Sequence, residues 1–360
     1  MGIPSGYRPE LDGVRTFAIV GVLLFHAALI SPIRLLGGEF GVDLFFVLSG
    51  LLITTLLLQE HERTGTISLG RFFMRRVLRL LPALVAMLVV GGVVASIVDA
   101  NSRTMSYPKA ALAAFFAVGN WFQGSGPKLG ILTHTWSLAI EWQFYLAWPT
   151  ALYLALRRGA KPHHLAAVAA LGAVGVAFLR AVVYHKIGTD EALYWTITRC
   201  DGVLAGSALA LAIASDGRIV RVLRHTGLAL TGAVGAAVGI AVLRADRALM
   251  YDGGLLVLIA CFVVVVGHIA VRSDGVIARF LRVPPMPQLG RISYGVYLYH
   301  VIVYSPIRHD PTKRSIGWAA FGIAVTIVVA AVSYAVVELP ALRLKDRLRG
   351  VRLRRSPAPA

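Results

Sequence analysis

Few ionisable side chains are set within or beside the long apolar runs of this chain: Arg15, His26, Asp43, Glu141, Arg180, Arg199, Asp201, His268 and His300. A charge inside hydrocarbon is costly, so each is a functional candidate by default. His26, Glu141 and His300 lie deepest. His26 follows Arg15 by 11 residues, or ~16 Å along a helix, which puts it in the outer half of the first run. Glu141 falls just inside the outer end of the fourth, so the two are expected at similar depth. A carboxylate beside an imidazole holds its tautomer and lets it take a proton from a hydroxyl. The same two groups could equally form an interhelical hydrogen bond. Asp12 precedes Arg15 at i, i+3 and is expected to position it. It lies too far from His26 to form a dyad.

The segment Arg71-Phe-Phe-Met-Arg75-Arg76-Val-Leu-Arg79 is a second candidate. On a helix Arg71, Arg75 and Arg79 share a face and Arg76 borders it. Guanidinium groups so arranged suit an anion with several phosphates; a topology anchor has the same composition. Arg180, Arg199 and Asp201 are expected to snorkel from span ends, and His268 to sit at an interface. His134 is expected in an outer loop.

The elements that position these residues follow from composition. Hydrophobic types make up 57% of the 360 residues and charged types only 15%, too apolar for one soluble core. The sequence predicts an all-α polytopic membrane protein with ten spans near 14–31, 40–58, 80–98, 138–156, 165–184, 200–214, 228–243, 254–271, 291–307 and 317–337. Ala110 to Phe122 is too short to cross and reads as re-entrant or interfacial. The net charge of +18 gathers in clusters between runs. With the N-terminus inside, about two-thirds of the basic residues fall on the cytoplasmic side, which places both termini there. No basic stripe with interleaved aromatics points to nucleic acid. Cys200 and Cys261 suggest neither a disulfide framework nor a metal site. The first run lacks a convincing cleavage site and reads as a retained span. Residues 1–340 form the membrane domain. Residues 341–360 read as a basic cytoplasmic tail, disordered and held at the membrane surface.

The motifs resemble the acyltransferase-3 family of integral membrane acyltransferases. The resemblance is carried by Leu11-Asp-Gly-Val-Arg15 through His26, Gly41-Val-Asp-Leu-Phe-Phe-Val-Leu-Ser-Gly50 and Arg71 to Pro82. It continues in Thr135-Trp-Ser-Leu-Ala-Ile-Glu141 to Tyr145, Gly290-Arg-Ile-Ser-Tyr to His300, and Glu338-Leu-Pro340. It implies transfer of an acyl group, usually acetyl, from acyl-coenzyme A as co-substrate, with no bound cofactor. The acceptor would be a hydroxyl of a carbohydrate, a glycolipid or a small molecule. The setting would be a bacterial-type cytoplasmic membrane, with lipid as the other partner.

Carried over, His26 is the catalytic base, with Glu141 beside it. Arg15, Arg76 and Arg79 contact the donor at the cytoplasmic end, and a donor arm threads outward between helices. Trp142 stands where the family often has a second carboxylate, so a paired-carboxylate mechanism is not expected. Asp43, Ser49 and His300 are supporting or pathway residues. Ser49-Gly50 also reads as a helix-packing site, and His300 as a structural hydrogen bond. Tyr294, Tyr297 and Tyr299 read as packing or interface residues. The rival reading is a proton-coupled transporter or flippase using the same His and Glu, but the paired halves common in transporters are not found.

Overall fold

Helices account for nearly all of the computed structural model, which describes residues 6–29, 40–98 and 104–343. The first three are α1 (Pro9–Ala28), α2 (Gly41–Thr64) and α3 (Leu69–Val98). Two short helices, α4 (Tyr107–Phe115) and α5 (Gly119–Ser125), and a 3-10 turn at Gly130–Thr135 lead into α6 (Trp136–Arg157), followed by α7 (Pro162–Lys186). Two small helices, α8 (Thr189–Tyr194) and α9 (Thr196–Arg199), come before α10 (Asp201–Ser215), α11 (Gly217–Leu223) and α12 (Thr226–Val242). A π turn at Met250–Gly254 opens α13 (Leu255–Val271). Then come α14 (Val276–Arg282), α15 (Met286–His309) and α16 (Ile316–Ser333), which closes in a π turn at Tyr334–Glu338.

Local chemistry sets many of these boundaries. Proline, which lacks an N–H and has φ preset for a helix, occupies the first turn of α1, α4, α7 and α15. Gly65 ends α2 at φ 71°, its N–H bonded 2.8 Å from the His61 carbonyl. The apolar stretch Ala110 to Phe122 is split, because Ala117 adopts φ 56° and breaks it into α4 and α5.

Each of the ten predicted apolar segments falls on a helix. Among the described residues, six spans are long and apolar enough to cross a membrane: α1, α2, α3, α7, the π turn with α13, and α16 with its π turn. A seventh arises if α10 and α11, bent by 115°, form one broken span. The chain is therefore a multi-pass membrane protein. α6 and α15 are long enough but too polar, because they carry Glu141, Gln143, Arg291 and His300. Both of these helices contribute to the site described below, Glu141 from α6 and Arg291 and His300 from α15. Valine and leucine side chains such as Val89, Val93, Leu171, Val174 and Val328 face outward. So much exposed apolar surface needs lipid around it. The predicted tail falls mainly in residues 344–360, outside the described residues.

Close helix packing fixes the interior. A side chain on Gly50 would collide with the Val203 carbonyl of α10, and one on Gly206 with the Val47 carbonyl of α2. Small residues thus let the two backbones touch, which is the packing role expected at Ser49-Gly50. Between them and α7 lies a buried charge cluster. Arg180 Nη1 pairs with Asp201 at 2.5 Å and Arg199 Nη2 with Asp43 at 3.0 Å. Arg180 and Asp201 are fully enclosed. The expectation that Arg180, Arg199 and Asp201 snorkel to the surface is therefore incorrect. Each arginine finds a carboxylate on a neighbouring element, and pairing inside costs less than burying either charge alone. The Arg199 guanidinium also lies 5.4 Å from the centre of the Trp136 ring. His268 is buried too, its Nδ1–H donated to the Leu223 carbonyl at 2.8 Å, a structural bond in place of an interfacial position.

Candidate active site: an arginine cleft and a histidine cluster

Four arginines from three helices line one cleft. Arg15 comes from α1, Arg76 and Arg79 from α3, and Arg291 from α15; the space in and before the cleft, open solvent included, is about 730 Å³. Asp12 reaches Arg15 Nη1 at 3.1 Å, the i, i+3 support expected from the sequence. Arg76 sits between two aromatic faces, 5.4 Å from the centres of the Phe72 and Tyr145 rings. A guanidinium so flanked keeps its fork of donors in a fixed plane.

The expected shared face of Arg71, Arg75 and Arg79 is not formed. Arg71 and Arg75 turn to Glu60 on α2, at 3.0 and 3.4 Å, while Arg76 and Arg79 enter the cleft. Eight residues on a helix drift by ~80°, enough to part Arg71 from Arg79 once Glu60 captures the first pair.

Glu141 belongs to this cleft. Its carboxylate accepts a hydrogen bond from the Ser49 hydroxyl, and the Tyr145 hydroxyl adjoins both groups. Ser49, Glu141 and Tyr145 all line the wall shared with Arg15 and Arg76. The expected pairing of Glu141 with His26 is not made. α6 does not begin at an outer surface: the buried turn Gly130–Thr135 precedes it, with His134 and Thr135 only 5% and 2% exposed. Glu141 consequently lines the same cleft as Arg15, while His26 is ~16 Å from Arg15 along α1.

His26 instead joins two other imidazoles. Its ring centre is 4.5 Å from that of His300, which is 5.2 Å from that of His134. His26 donates Nδ1–H to the Val22 carbonyl at 2.9 Å, so Nε2 carries the lone pair. That tautomer suits a base, and His26 is only half-buried. His134 is not the outer-loop histidine expected: its Nε2–H reaches the Leu298 carbonyl at 3.0 Å. Burial, with His26 as a secondary cause, pushes His134 down to about 3, so it is neutral at ordinary pH. Tyr297 and Ser137 connect the regions, since both line the cleft and the Tyr297 ring lies 5.3 Å from His300.

The arrangement thus brings together Arg15, Asp12, Arg76, Arg79, Ser49 and Glu141. His26 and His300 form a second group, and Asp43 serves the buried ion pair. Sequence reasoning missed Arg291 and Tyr145 as cleft residues, although both stand inside motifs already singled out. Tyr145 is one helical turn from Glu141 and could have been found by that spacing.

An all-helical, multi-pass membrane protein with an arginine-lined cleft and a separate imidazole group is the class that fold and site define. The profile described as "Acyltransferase domain" matches residues 8–337, and the chain belongs to that family. The "Peptidoglycan O-acetyltransferase OatA" of Listeria monocytogenes is 31% identical over 356 residues, covering 93% of this chain and 56% of that relative. The "O-acetyltransferase OatA" of Staphylococcus aureus is 31% identical over 354 residues, covering 93% of this chain and 57% of the relative. The chain thus spans a little over half the length of these relatives. No solved structure matches.

Proposed function

We propose that this protein is an integral membrane O-acyltransferase that moves an acetyl group from acetyl-coenzyme A to a hydroxyl of a cell-envelope glycan. The observation that carries the donor assignment is the cleft with Arg15, Arg76, Arg79 and Arg291 on its walls and one carboxylate, Glu141, among them. Coenzyme A presents a diphosphate and a further phosphate, which suit several guanidinium groups at once. The glycan assignment draws on the names of the relatives from Listeria monocytogenes and Staphylococcus aureus.

In this reading all ten segments cross the membrane, residues 1–340 form the catalytic domain, and both termini are cytoplasmic. The membrane is the bacterial cytoplasmic membrane. The arginines hold the donor's phosphates from the cytoplasmic side, and its extended arm runs past Ser49 and Tyr297 towards His26. His26 Nε2 removes the proton of the acceptor hydroxyl as its oxygen attacks the thioester carbon. The new C–O bond forms, the C–S bond breaks, and the proton passes from His26 to the departing thiolate sulfur, giving free coenzyme A. Glu141 serves the donor end, where it balances Arg76 and fixes the Ser49 hydroxyl. The transporter reading has no support in the family match.

The test is incubation of membranes with labelled acetyl-coenzyme A, followed by partition of the label into glycan, lipid and small-molecule fractions. Label in the glycan that is lost with His26→Ala supports the proposal. Label in the glycan that persists in His26→Ala removes His26 as the base.

A further inference from the structure

Two ring nitrogens of the histidine cluster are buried with no hydrogen-bond partner among the described residues. Each of its three rings gives one N–H to a backbone carbonyl: His26 to Val22 at 2.9 Å, His134 to Leu298 at 3.0 Å and His300 to Tyr297 at 2.5 Å. A carbonyl only accepts, so these bonds fix the tautomers and leave one bare lone pair on every ring. On His300 the bare atom is Nε2 and on His134 it is Nδ1, and both are buried without a partner.

Two hydroxyls beside the cluster are already committed. Tyr297, whose ring lies 5.3 Å from His300 and 5.8 Å from His134, donates its O–H to the His134 carbonyl at 2.8 Å. The Ser137 hydroxyl is 2.6 Å from the Tyr297 oxygen and donates to it. A buried acceptor left without a donor carries an uncompensated loss of hydration. Two such atoms beside a half-buried base mark a place completed by an incoming donor. Among the described residues, no group of three His, Cys, Asp or Glu could hold a metal ion, so the complement here is O–H or N–H.

We propose that His300 and His134 form the acceptor subsite, where their bare nitrogens take hydrogen bonds from hydroxyls neighbouring the one that His26 deprotonates. The substrate class is therefore a polyhydroxylated acceptor, such as a sugar, in preference to an isolated alcohol. The inference rests on the acyl-transfer reading above. It adds that this membrane domain selects its acceptor itself, because an analogue lacking the neighbouring hydroxyls leaves buried nitrogens unpaired.

The test uses the purified full chain in lipid, labelled acetyl-coenzyme A and solubilised peptidoglycan strands as the acceptor probe. His300→Phe keeps a ring of similar shape and removes both nitrogens, whereas His300→Asn retains an accepting oxygen. The expected result for His300→Phe is a glycan KM raised about tenfold or more, with the acetyl-coenzyme A KM within about twofold of wild type, and partial restoration in His300→Asn. His134→Phe gives the same contrast and carries the test if His300→Phe does not fold. An unchanged glycan KM, or an equal rise in both KM values, overturns the subsite. Absence of transfer by the wild-type protein overturns the acyl-transfer reading for this acceptor, and the inference with it.

Discussion

Glu141 accepts the hydroxyl hydrogen of Ser49 across the α2–α6 contact. The carboxylate that the sequence would pair with His26 thereby belongs to the arginine cleft. The structure has an arginine-lined cleft around Arg15 and Arg76 and an imidazole cluster at His26 and His300, read under the proposed function as an anion-binding station and a proton-handling one.

The pH profile should reflect that separation. Glu141→Gln is expected to leave the ionisation that controls kcat where it is in wild type, while raising the KM for acetyl-coenzyme A. A rate profile measured from pH 5 to 9, at saturating donor, checks this. A displaced acid limb would show that Glu141 acts on His26 after all.

The arginines of α3 should divide into two pairs. Arg76→Ala removes a charged, aromatic-flanked donor group and is expected to weaken acetyl-coenzyme A binding by about 10-fold to 100-fold. Arg75→Ala, whose partner is Glu60 at 3.4 Å, should change the donor KM by less than about twofold. Kinetics with labelled donor in membranes distinguish the two. Equal effects would mean that the cleft does not define the donor site.

The buried pair of Asp43 and Arg199 should matter to stability more than to chemistry. Asp43→Asn strands an enclosed guanidinium, and breaking such a pair costs about 3–5 kcal/mol. Thermal unfolding in detergent should show a large drop in Tm for Asp43→Asn. A double variant, Asp43→Asn with Arg199→Met, should recover part of it. A double variant no more stable than the single would contradict the pairing.

Acid should weaken the folded state through His134. Its ordinary value of 6.5 is pushed down to about 3 by burial. The unfolded chain therefore binds a proton that the folded chain refuses, and stability falls as pH drops from about 6.5 towards 3. His134→Phe should flatten that part of the stability profile, measured by unfolding at a series of pH values. An identical slope in the variant would refute this assignment.

The sequence revealed helix positions well, because hydrophobic runs report burial in lipid whichever helix they later touch. Each apolar segment became a helix, and Asp12–Arg15 and Gly50 took the roles their spacing suggested. Depth was the weaker reading. Glu141 was placed near an outer surface because residues 130–135 read as a loop, whereas they form a buried turn that lowers α6 into the protein. Arg180 and Asp201 looked free to reach water because their partnership spans 21 residues and two helices, which periodicity within one element does not record. His134 escaped for the same reason: what buries it is α15, more than 160 positions away.

The central claim is that donor binding and proton removal are separate stations on α1 and its neighbours. Equilibrium binding of labelled acetyl-coenzyme A, measured beside turnover on the same purified wild type, Arg76→Ala and His26→Ala, tests it most directly. The account predicts that Arg76→Ala loses donor affinity, while His26→Ala binds donor as wild type does and transfers nothing. Loss of donor binding in His26→Ala, or full donor binding in Arg76→Ala, would contradict it.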